Sequence, residues 1–179
     1  MDASPPPDAT APFPPSKDAL RTLDPSVRAV WRSMWGLWGG ALWLAVIFYD
    51  LTRWYAPDPA LPLGVPTVAV GVLLGLGAWL WPYWQYRAWR FVLRPNELYL
   101  MHGVITHVRT VVPLRRIQHL DVSQNILERE FGLGRLVVHT AGSRSSDVTI
   151  PGLPLDDAER LRDQVRQFIL DDPLPDNSL

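Results

Sequence analysis

Four histidines, His102, His107, His119 and His139, and a serine cluster beside one of them are the residues whose types could do chemistry. A zinc site needs three or four ligands converging at fixed distances. The histidines follow neither an HxxxH nor an HExxH spacing, and the chain has no cysteine. The spacing therefore predicts no metal site, and thiolate or disulfide chemistry is excluded outright. Ser143, Ser145 and Ser146 lie near His139 and Asp147, the residue types of a hydrolase triad. A triad is defined by geometry and an oxyanion hole, not by proximity in sequence. A Gly-Ser-rich turn explains these serines without catalysis. Asp156 and Asp157 resemble paired acids, but they stand where a helix begins and acidic residues suit that end. No catalytic residue and no cofactor is expected.

Arg115, Arg116 and Arg144 are the more promising group. Basic side chains facing an anionic leaflet gain about 1 kcal/mol each. They are candidates for a surface that meets lipid or a partner. The whole chain has a formal net charge of −1, so it carries no general basic field and no nucleic-acid partner is expected.

The elements that must position these residues divide the chain in two. All nine Trp lie before residue 90 and most Asp and Glu lie after it. Residues 1–28 are rich in Pro, Ala, Ser and Asp and read as a disordered tail rather than a signal peptide. Ser33 to Tyr49 and Val65 to Trp81 carry no charged residue. Each is near the length that crosses a bilayer. Helices of a soluble core keep a polar face, and these have none. Trp and Tyr crowd their ends, as at a membrane interface. Residues 29–86 are thus expected to form a transmembrane hairpin. Gly36 with Gly40 and Gly71 with Gly75 give two GxxxG spacings, candidates for close helix packing within the pair or with a partner. Lys17, Arg21, Arg28 and Arg32 precede the first span, Arg87, Arg90 and Arg94 follow the second, and the connection holds only Arg53. The positive-inside rule then predicts both termini in the cytoplasm.

From Arg87 the pattern becomes that of about six short strands. RFVL and LYLMHG flank an Arg-Pro-Asn-Glu turn; VITHVRTVV, IQHLDVSQ, RLVVHT and VTIPGL follow. LRRIQHLDVSQ, from Leu114, reads as one strand with its basic end near the bilayer. ILEREFGLG suggests one helical turn stopped by glycine, with Phe131 and Leu133 as anchors. Ile117, Leu120, Val122, Leu136 and Val138 are expected to face the core. In LDDAERLRDQVRQFIL, Ala158, Leu161, Val165 and Phe168 recur at helical spacing, and Asp156 with Glu159 fits a capping box. The fold class is α+β: a two-helix transmembrane hairpin, then a barrel or sandwich over 87–170 capped by one amphipathic helix, then a disordered 171–179.

That order, with RRIQHLDVSQ, FGLGRLVVHTAG and IPGLPLDDAERL, resembles the bacterial PH-like domain family, once called membrane-flanked domains. The resemblance is to its YdbS-like members and covers roughly residues 25 to 170. It implies a PH-like domain at the cytoplasmic face of the bacterial inner membrane and no enzymatic activity. It also implies a complex with a larger YdbT-like relative bearing several such domains, and a role in envelope stress or resistance to membrane-active peptides. A homo-oligomer is compatible with it. The alternative expectation is an anionic lipid or small ligand bound in a basic groove. The short Arg94–Glu97 turn departs from the basic loop of phosphoinositide-binding PH domains.

Overall fold

The computed structural model describes residues 20–54, 62–141 and 147–171 of the chain, with side chains to 169. Residues 1–19 of the expected tail, most of the inter-helix connection, the 142–146 turn with Arg144, and 172–179 lie outside the described residues. Two long helices come first: α1, Val27–Arg53, of 27 residues, and α2, Val65–Ala88, of 24 residues. At 1.5 Å per residue they are roughly 40 and 36 Å long, more than the ~30 Å of a bilayer's hydrocarbon. Pro66 sits in the first turn of α2, where its missing N–H costs no hydrogen bond. The two helices pack against each other as a hairpin.

The rest is a sandwich. β1 (Arg90–Leu93), β2 (Glu97–His102) and β3 (Val108–Pro113) form one antiparallel sheet in that order. β4 (Ile117–Ser123), β5 (Leu133–Thr140) and β6 (Val148–Pro154) form the second. A short α3, Ile126–Glu130, joins β4 to β5, and α4, Leu155–Asp171, follows β6. Alternation puts Leu98 and Leu100 of β2 opposite Leu136, Val138 and Ile150 of the second sheet, all fully buried. Ala158, Leu161 and Val165 of α4 close this core. Ile117, Leu120 and Val122 pack against it partly buried, whereas Phe168 is 37% exposed and lies outside it.

Several expectations need correction. Leu114–Arg116 is not strand but a single 3-10 turn that carries the chain from one sheet to the other. Phe131 is 40% exposed and does not belong to the buried core, although Leu133 does. α4 starts at Leu155, which puts Asp156 and Asp157 inside its first turn rather than at its cap. The capping box is on α3, where the Asn125 side chain accepts from the Glu128 N–H and the Glu128 carboxylate accepts from the Asn125 N–H.

Residues 20–28 are part of the domain. Arg21 and Phe91 exchange backbone hydrogen bonds of 2.8 and 3.1 Å, adding a bridge to the edge of β1. The Asp24 N–H donates to the Gly152 carbonyl at 2.9 Å. The Tyr86 hydroxyl donates to the Leu23 carbonyl at 3.2 Å. Leu23, Val27 and Val30 are buried in the same core as the sheets. The first turn of α1 is thus a foot planted in the domain. Gly152 makes room for it: its φ is 63°, and a Cβ there would collide with the Val27 side chain.

Candidate functional site

Within the hairpin the contacts are few and specific. The Trp43 indole N–H donates to the Thr67 carbonyl at 2.9 Å. Its ring lies over Gly71, where an added Cβ would stand 2.8 Å from the indole nitrogen. Asp50, 7% exposed, accepts from the Thr67 hydroxyl at 2.6 Å and from the Thr67 N–H at 3.3 Å. Thr67 is in the first turn of α2, where backbone N–H groups lack intrahelical partners and a carboxylate is favoured. Arg53 lies 3.5 Å from the other Asp50 oxygen. This clasp closes the end of the hairpin away from the domain.

Of the four glycines in the GxxxG spacings, Gly71 is the one that packs across the helix pair, while a Cβ at Gly39, outside them, would meet Leu74 at 3.8 Å. Gly36, Gly40 and Gly75 meet nothing within 4 Å of a built Cβ. Yet all four line one groove of about 270 Å³, together with Gly39, Trp35, Trp43 and Leu74. One wall is α1 and the other α2, so the two GxxxG spacings converge on a single apolar trough open at the outer surface of the hairpin. At the end nearest the domain, Arg28 lies over the Tyr86 ring, Arg32 over Trp79 and Arg87 over Tyr83, with guanidinium carbons 5.0, 5.2 and 5.6 Å from the ring centroids. Basic and aromatic side chains are the types that favour a membrane interface.

Arg115 and Arg116 are exposed on the 3-10 turn. β1 begins where α2 ends, so Arg90 and its partner Met101 mark the end of the first sheet beside the helices. Glu97 pairs with Pro113 at the other end, and the Leu114 N–H donates to the Asn96 carbonyl at 3.0 Å. The arginine pair is therefore at the end of the sheet away from the helices, not at the end expected to meet the bilayer. Arg116 opens on a cleft of about 460 Å³ between the sheets, whose polar lining includes His102, Thr110, Thr140, Asp147 and Thr149. Arg115 does not line it.

Three of the histidines make local contacts, and His107 is exposed on the β2–β3 loop. His102 stacks on Trp89, with centroids 4.8 Å apart. His119 and His139 sit across β4 and β5 on either side of Asp121, at 2.9 and 3.3 Å from its two oxygens. The second nitrogen of His139 is 3.0 Å from Asp147. This ladder lies on the outer, partly exposed face of the second sheet. Among the described residues no group of three His, Asp or Glu could hold a metal ion. Glu128, 4% exposed, is held by the Arg135 guanidinium through contacts of 2.7 to 3.1 Å. Sequence reasoning missed this pair, as it missed Asp50; a charged residue at the edge of an apolar run was the available signal. On α4, the hydrogen bond from Arg162 holds the Asp163 carboxyl below the usual carboxylate range, on an exposed face with no cavity of its own.

Two apolar helices followed by two antiparallel three-stranded sheets and a closing helix define a PH-like domain carried on a membrane anchor. The chain belongs to the family described as Bacterial PH domain, which it matches over residues 40–169. It is also similar to the UPF0699 transmembrane protein YdbS of Bacillus subtilis (strain 168), with 28% identity over 150 residues, 82% of this chain and 90% of that protein. No solved structure matches the chain. The match begins inside α1 and runs into α4, so it covers most of the hairpin as well as the sandwich.

Proposed function

We propose that this protein is a non-catalytic subunit of a complex in the bacterial cytoplasmic membrane. Both helices span the bilayer, both termini are cytoplasmic, and the PH-like domain stands on the inner leaflet. Arg28, Arg32, Arg87 and Arg90 gather at the domain's end of the hairpin, which supports that orientation. The partner is a membrane protein with related PH-like domains, a YdbT-like relative, and one of its helices lies in the trough between α1 and α2. The observation that carries this reading is that Gly36, Gly40, Gly71 and Gly75 line one groove while only Gly71 packs a large side chain. In lipid, small residues let backbones approach and so specify helix pairing. Resistance to envelope stress or membrane-active peptides is the process we assign to the complex.

The test is to tag the full chain at its C-terminus, extract it gently in detergent from its native host and identify what co-purifies. A stoichiometric membrane protein with related domains is expected. Recovery of the protein alone contradicts the reading, and recovery as a homo-oligomer replaces the partner with a second copy.

A second reading, an anionic ligand in the cleft between the sheets, is favoured by Arg116, His102 and three threonines around one cavity. Saturable binding of inorganic phosphate to the full chain, lost in Arg116→Glu, is its test; no binding removes it.

A further inference from the structure

Outside the hairpin, two large apolar side chains are far more exposed than any others among the described residues. Ile126 is 90% exposed and Ile105 is 82% exposed, while every other one in the domain is at 40% or less. A soluble surface tolerates a single exposed isoleucine. These two, however, come from different halves of the sandwich and stand at the same end of it.

Ile105 is at the tip of the β2–β3 loop. β2 runs back toward the end of α2, and its last residue, His102, stacks on Trp89 where α2 stops. The loop of 103–107 therefore projects beside the point where α2 meets the domain. It is a tight turn: Gly103 has φ 105°, and a Cβ there would collide with the Thr106 carbonyl. Ile126 opens α3, which packs against α1, and the adjacent Leu127 joins the core beside the Val27 and Val30 foot. Both isoleucines thus flank the base of the hairpin.

Their charged neighbours fit an anionic surface. His107 and Arg109 follow Ile105, and Arg28, Arg87 and Arg90 stand where α1 and α2 meet the domain. On α3, Arg129 and Glu130 offset each other, and Glu128 is engaged by Arg135. With α1 and α2 spanning a bilayer, the surface continuous with the base of the hairpin is a lipid surface.

We propose that Ile105 and Ile126 insert into the bilayer on either side of the hairpin, so that the domain rests flush on the membrane through two apolar points of its own. This rests on the reading of α1 and α2 as a spanning hairpin. It differs from contact through Arg115 and Arg116, which occupy the opposite end.

The absence of cysteine makes the test clean. Single-cysteine variants Ile105→Cys, Ile126→Cys, Leu73→Cys and Gln118→Cys of the full chain are labelled with an environment-sensitive fluorophore. They are reconstituted in vesicles of phosphatidylcholine and phosphatidylglycerol. Leu73, exposed in the middle of α2, reports the span, and Gln118, exposed beyond the 3-10 turn, reports water. Labels at 105 and 126 are expected to be quenched by a lipid-borne quencher and to resist aqueous iodide several-fold better than the label at 118. If 105 and 126 follow 118 while 73 remains in lipid, the inference fails and the hairpin stands. If 73 also follows 118, the spanning reading fails and takes this inference with it.

Discussion

The two halves of this molecule hold together by different means. In the sandwich, Leu98, Leu100, Leu136, Val138 and Ile150 are fully buried, and apolar burial does most of the stabilising. In the hairpin, Trp38, Phe48 and Leu73 remain 69 to 73% exposed, and the helices meet through Trp43, Asp50, Thr67 and Gly71. Water drives the first kind of packing. Lipid tails are as apolar as leucine, so the second kind depends on close approach and on polar groups that must find partners. Residues 20–30 belong to both: the foot of α1 is packed like a soluble core and continues directly into the span.

The comparison is broken most severely by cutting at that seam. The fragment 87–179 lacks Leu23, Val27 and Val30 and is expected to show no cooperative thermal transition by circular dichroism. A sharp transition like that of the full chain would return the foot to the hairpin alone. Next, Leu136→Ala should destabilise the domain by ~2–5 kcal/mol, read as a shift in denaturant midpoint. An effect below ~1 kcal/mol would mean the core is less packed than its burial implies. Asp50→Ala is a smaller change, about 1–3 kcal/mol, because it leaves the Thr67 N–H and hydroxyl without their acceptor. It should loosen the outer end of the hairpin, measured by cross-linking between cysteines placed on α1 and α2, and leave the domain's melting unchanged. The smallest effect is expected from Arg115→Glu with Arg116→Glu: the domain stays folded, with a loss no greater than ~1 kcal/mol in the same denaturation.

Much of this architecture was legible in the sequence. Charge-free runs bounded by Trp, Tyr and Arg marked the two helices, because a helix on the surface of a soluble domain keeps a polar face and these have none. Period-two runs gave six strands, and the switch at Leu155 to helical spacing gave α4. The misses have physical reasons. LRR reads as the start of β4, although the paired Arg115 and Arg116 interrupt a period of two just where the chain turns to reach the second sheet. Residues 20–28 look like tail because their partners, Phe91 and Gly152, are about 70 and 130 residues away along the chain. The four glycines were visible as two separate motifs; only the packing of α1 on α2 brings them to one trough. Ile105 and Ile126 sit in a loop and a one-turn helix, where sequence patterns give no face.

The central claim is that the trough seats a helix of a partner. A photo-cross-linking amino acid is placed at Gly40 or Gly75, which line it, and at Leu44 or Leu73, which face outward from the hairpin elsewhere. After irradiation of native-host membranes, Gly40 and Gly75 are expected to capture one and the same membrane protein bearing related PH-like domains, and Leu44 and Leu73 only lipid. Equal capture at all four positions, or none at Gly40 and Gly75, would contradict the account.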